Sequence, residues 1–288
     1  MSTPIGLFKK KFFTFFFIFF TTIFYLSSCS HSSSSSKISK EEKIWMTDFF
    51  QNLLLVDAGV YTLLGSKPIT RINLENFTEE EKQAYYAGLS QEELDKALIL
   101  KNYCLSQNWE NWKRVSNRFP LKRYMLFDKI YEEGTHVLYF VNIFQAAVVI
   151  QENYEAFHKV VQYEFNPLDA VLEIQDKDSK FWNAIQENFL LWGLLLGYGK
   201  VNSYAFFWKH QSPSSAVTHF MNSLTENPRN DELIGEVEFT PSNFDIPSFI
   251  SFESNKKTIN HYRKEKENIK KMYAKQDFVE FTLDVLTN

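Results

Sequence analysis

The sequence predicts a mainly α-helical protein: a single multi-helix globular domain with one short β-hairpin near 124–141. Three observations lead there. Apolar residues recur at three- and four-residue steps through most of the chain, the period of a helix with one buried face. Glycine (9) and proline (8) are scarce in 288 residues, which argues against a turn-rich all-β protein. Strand-like runs are confined to two short segments on either side of Gly134.

The N-terminal segment is organised differently. Lys9, Lys10 and Lys11 precede Phe12–Leu26, fifteen residues without a charge. That suits the apolar part of an export signal, about 7–15 residues, better than a membrane span of about 20. Leu26-Ser27-Ser28-Cys29 follows directly. All four positions resemble the lipobox of bacterial lipoproteins: an aliphatic residue, two small residues, then cysteine. The resemblance implies a signal peptide over 1–28, cleavage between Ser28 and Cys29, and a diacylglycerol on the Cys29 thiol. It implies membrane association through that lipid. Each buried CH₂ contributes about 0.8 kcal/mol, so one chain binds marginally and two or three hold firmly. Ser30 in place of an aspartate leans toward the outer over the inner membrane. The competing reading is an uncleaved signal anchor with Cys29 incidental.

Residues 29–39 then form a lipidated, serine-rich tether, Ser30-His31-Ser32 through Ser36, with too little apolar area to fold. Residues 40–288 form the helical domain. The first 28 residues hold three lysines and no acid, leaving 28 basic and 35 acidic side chains, or −7. That balance is unsuited to general phosphate-backbone binding, so no nucleic-acid partner is expected. With Cys29 acylated, Cys104 has no disulfide partner and reads as a small buried hydrophobe.

Within the domain, Ser39-Lys40-Glu41-Glu42 is a capping box that opens a helix running to Gly65, with Pro68 beyond it. Thr78–Glu81 and Ser90–Glu93 are two more boxes, and Trp109, Trp112 and Val115 extend a helix to Asn117. Tyr124–Phe127 and His136–Val141 flank Glu132-Glu133-Gly134-Thr135 as the hairpin. Asn142 caps a helix to Phe165, Asn166-Pro167 opens the next, and Ser179–Leu196 reads as one central core helix. Gly197 and Gly199 read as cap and turn glycines, with Asn202 or Ser203 capping a helix over 204–210. After an irregular stretch with a short strand at 237–239, Lys256–Tyr273 and Phe278–Leu286 are helical, the former capped by Ser254. The Gly193-Leu-Leu-Leu-Gly197-Tyr-Gly199 segment with Asn202-Ser203 is similar to a segment of uncharacterised proteins of chlamydia-like bacteria. That resemblance covers about a tenth of the chain and implies no activity.

No catalytic signature stands out. Gly197-x-Gly199-Lys200 follows a helix rather than a strand, the wrong order for a phosphate cradle. His31, His136, His158, His210, His219 and His261 form no ligand-spaced cluster, so neither a metal nor another cofactor is expected. Lys266, Lys270 and Lys271 offer a basic contact face for anionic lipid or an acidic partner. The expectation is a cell-envelope lipoprotein with an interaction or structural role and a protein partner in the envelope. The alternative is an envelope hydrolase whose site is assembled from distant residues.

Overall fold

A three-stranded antiparallel sheet lies between two hydrophobic cores in the computed structural model. It describes residues 38–74, 102–131, 134–211, 239–252 and 256–288, with short pieces at 87, 219–220 and 223–226. The export segment, Leu26–Cys29, the serine tether, the boxes at Thr78 and Ser90, Val237, Glu238, Ser254 and the Cys104 side chain lie outside the described residues. Residues 38–288 form one compact unit.

The Ser39 capping box is present as expected: Ser39 Oγ accepts from the Glu42 N–H, and the Glu42 carboxylate accepts from the Ser39 N–H. It opens α1 (Lys40–Phe50), which buries Met46, Phe49 and Phe50. The helix does not run on evenly to Gly65. It widens into a π-helical stretch, Gln51–Val56, breaks at Ala58 in a left-handed conformation (φ 56°), and resumes as α2 (Val60–Leu64).

Strand β1 (Ile69–Asn73) falls in a stretch behind Pro68 to which the sequence reading assigned no element. Helix α3 (Asn102–Val115) and a 3₁₀ turn (Ser116–Arg118) follow. The expected hairpin is β2 (Tyr124–Ile130) and β3 (His136–Asn142), turned at Gly134 (φ 83°). β3 is central, pairing Ile69 with Val141 on one side and Phe127 with Tyr139 on the other. Its two faces feed different cores. Leu138 and Phe140 join α1, α2, α3 and the C-terminal helices in the first. Val137, Tyr139 and Val141 join the helices of residues 143–195 in the second.

Two long helices expected in that second half are each divided at an asparagine. The first becomes α4 (Ile143–Glu152) and α5 (Tyr154–Val161), separated where Asn153 Nδ2 donates back to the Val149 carbonyl. It ends at Gln162 in the left-handed region (φ 60°), short of Phe165. Asn166 caps α6 (Pro167–Leu172) as expected. The expected core helix 179–196 divides into α7 (Lys180–Ile185) and α8 (Phe189–Leu195), because Asn188 caps a new start by accepting from the Leu191 N–H.

Helix α9 (Lys200–Gln211) begins earlier than expected. Asn202 and Ser203 do not cap it; they are buried in its first turn and donate back to the Tyr198 and Gly199 carbonyls. Gly193 lets α8 and α9 approach closely, since a Cβ there would stand 3.0 Å from the Ser203 Cα. A short ladder joins β4 (Thr225–Glu226) to β5 (Ser251–Phe252). The chain closes with α10 (Lys257–Tyr273) and α11 (Phe278–Thr287), the latter capped by Asp277.

Candidate functional site

A large cleft lies where the two cores meet. It has a volume of about 930 Å³. Val149, Glu152, Asn153 and Leu194 wall it from the second core, and α10 walls it from the first through Lys257, Asn260, His261 and Lys264. Ser66 and Pro68 line one end.

The turn between α8 and α9 shapes this cleft. Gly197 and Gly199 take left-handed φ values of 81° and 72°, the turn role expected from sequence. The Gly197 carbonyl accepts from the Tyr262 hydroxyl at 2.8 Å, a bond linking the two walls. Tyr262 is buried, and burial raises its hydroxyl well above the usual range, keeping it a donor.

Ser66, His261 and Glu265 cluster at the wall. Ser66 Oγ lies 2.9 Å from His261 Nε2, and Glu265 Oε1 lies 3.2 Å from the same nitrogen. Burial raises the Glu265 carboxyl above its ordinary range, and the nearby His261 and Ser66 offset this only in part. With Nε2 unprotonated the imidazole accepts from the Ser66 hydroxyl; with Nε2 protonated it donates to Ser66 Oγ or Glu265 Oε1. In a relay of serine, histidine and acid, however, the carboxylate orients the ring through the other nitrogen. Here serine and acid share one.

Charge along α10 is arranged differently from the sequence reading. Lys266 is half-buried and faces Asp245 at 3.7 Å, and burial lowers its ammonium below the usual range. Lys270 is half-buried beside Glu267 at 3.5 Å. Of the three residues expected to form a basic face, only Lys271 is exposed. Exposed lysines recur instead at seven-residue spacing, Lys257, Lys264 and Lys271, a spacing that keeps them on one side of the helix. The first two line the cleft opposite Lys200 of α9.

Among the described residues, no three His, Cys, Asp or Glu side chains gather as a metal-ligand set. His136 bonds Asp128 at 2.7 Å, His158 faces Glu164 at 3.3 Å, and His210 Nδ1 contacts the Phe206 carbonyl. Trp109, Trp112 and Trp182 are core residues, whereas Trp208 is 47% exposed. A second cavity of about 550 Å³ is lined by Asp57, Ala58, Lys67, Arg71 and Tyr198, and burial pushes the Tyr198 hydroxyl up to about 12.

No described helix is long and apolar enough to cross a membrane. Comparison with protein-family models, with curated proteins and with solved structures finds no match to this chain.

Proposed function

We propose that this chain is a lipid-anchored protein of a bacterial cell envelope, whose helical domain serves as an interaction module with the 930 Å³ cleft as its binding surface. One observation carries the anchoring: Leu26-Ser27-Ser28-Cys29 stands directly after a charge-free run that begins behind three lysines. The thiol thereby reaches the membrane face, where an acyl-transferring enzyme works. Ser30 favours the outer membrane. The serine tether would let the domain, which begins its own fold at Ser39, work away from the lipid.

A Cys29→Ser variant, grown with labelled palmitate beside the parent, tests the anchor. The parent should carry label and fractionate with membranes, and the variant should lose both. Equal labelling of the two, or none in either, would end the lipoprotein reading.

A binding role is favoured over catalysis because Ser66 and Glu265 converge on a single His261 nitrogen. The 2.9 Å Ser66–His261 contact in a cleft is nonetheless the one observation that favours a hydrolase. A fluorophosphonate probe decides between them. Labelling of the parent that disappears in Ser66→Ala would make the protein an enzyme, and absence of labelling supports the module.

A further inference from the structure

We propose that the mouth of this cleft and the outer face of α9 together dock on an anionic lipid surface. The inference deepens the membrane-anchored reading and rests on it for where the domain resides.

Two independent features converge. The first is charge. Lys200, Lys257 and Lys264 come from two helices and line one cleft, against a single lining carboxylate, Glu152. Among the described residues none of the three lysines has an acidic partner. The second is an apolar, aromatic stripe. Val201, Tyr204 and Trp208 are 50%, 36% and 47% exposed. They follow steps of three and four along α9, so they share one face. Val201 itself lines the cleft, so the stripe starts beside the lysines.

The Tyr204 and Trp208 rings lie 5.6 Å apart and present apolar bodies with polar tips, the chemistry favoured at headgroup level. A free phosphate would use the lysines and leave the stripe in water. An acidic protein surface would do the same unless it also carried an apolar strip. An anionic bilayer supplies phosphates for the lysines and an acyl boundary for the aromatic stripe, at adjoining depths.

Residues 38–288 contain both cores within one unit and are the piece to test. This piece is mixed with phosphatidylcholine vesicles, with or without phosphatidylglycerol, and bound protein is measured by sedimentation. Binding to the anionic vesicles is expected, weakening as ionic strength rises. Each lysine near such a surface contributes about fivefold, so K200A/K257A/K264A should bind about a hundredfold more weakly. Y204S/W208S should bind at least about tenfold more weakly. Both variants replace surface side chains, and circular dichroism should match the parent.

Three results would overturn the proposal: no binding to either vesicle, equal binding to both, or anionic binding that neither variant weakens. A fourth would reassign the lysines to a small-anion site: inorganic phosphate competing where chloride of equal ionic strength does not, with Y204S/W208S unaffected. The assay uses no lipid anchor, so its failure and a failure of Cys29 labelling are separate results.

Discussion

Replacing Gly197 with alanine perturbs the joint between the two cores at a single atom. At φ 81° an L-residue costs about 1–2 kcal/mol. The new Cβ would stand 2.2 Å from the Tyr262 hydroxyl oxygen. That ring is buried and meets Tyr61 edge-on at 5.2 Å, so it has little room to withdraw. The hydroxyl must leave the Gly197 carbonyl, losing a bond of net about 1 kcal/mol, and crowding adds about 1–2 kcal/mol more. The expected total is roughly 3–5 kcal/mol. In a domain of this size, with about 2–4 °C per kcal/mol, Tm should fall by about 6–20 °C. Urea unfolding followed by tryptophan fluorescence measures the loss. Tyr262→Phe alone should cost about 1 kcal/mol. The double variant should cost less than the two single changes added, by at least about 1 kcal/mol, because the clash has no oxygen left to meet. A Gly197→Ala protein within about 0.5 kcal/mol of the parent, or a strictly additive double variant, would refute this account of the turn.

Three further outcomes follow from particular contacts. Burial raises the Glu265 carboxyl, so the folded chain holds that proton more tightly than the unfolded chain. The resulting contribution to stability falls as pH rises from the ordinary carboxyl range through the raised value. Glu265→Gln should therefore flatten the pH profile of the urea midpoint in that window and gain stability above it; parallel profiles would count against it. Gln162 is exposed at φ 60°, so Gln162→Gly should stabilise by about 0.5–1 kcal/mol, a gain that thermal melting would reveal. Trp112 is buried and stacks between Phe49 (5.8 Å) and Phe119 (6.0 Å), so Trp112→Ala should cost about 3–5 kcal/mol in urea unfolding.

Local signals were legible wherever a side chain acts on its own backbone. The Ser39 box, the Asn166-Pro167 start, the Gly134 turn and the Gly197 and Gly199 turns all stand where the sequence puts them. The same chemistry was underread inside apolar runs. Asn153 and Asn188 interrupt helices that hydropathy alone joins, because an asparagine side chain can satisfy backbone groups at a break as readily as at an end. β1 was assigned no element although Ile69-Thr-Arg-Ile-Asn is rich in β-branched residues, because five residues are too few to show a clear period. The cleft was less legible still. His261 and Glu265 are four apart on one helix and could have been paired from spacing. Ser66 lies 195 positions away, and no periodicity connects it to them.

Val137–Val141 explains why the two cores, and hence the cleft, exist together. Five consecutive apolar residues show no alternation because both faces of β3 are covered. Successive side chains point to opposite faces, so Leu138 and Phe140 enter one core, and Val137, Tyr139 and Val141 the other. The cleft opens where the two cores meet. Lys257 and Lys264 belong to a helix of the first core, while Lys200 belongs to α9, which packs on α8 of the second. The spacing between these charges depends on contacts such as the Tyr262–Gly197 bond. Two destabilising changes should therefore differ in a second readout. Gly197→Ala acts on the joint and should weaken binding to anionic vesicles at temperatures where the variant is still folded. Trp112→Ala acts inside the first core, away from the cleft lining, and should leave that binding unchanged. If both weaken vesicle binding in proportion to lost stability, the lysine arrangement does not depend on this joint.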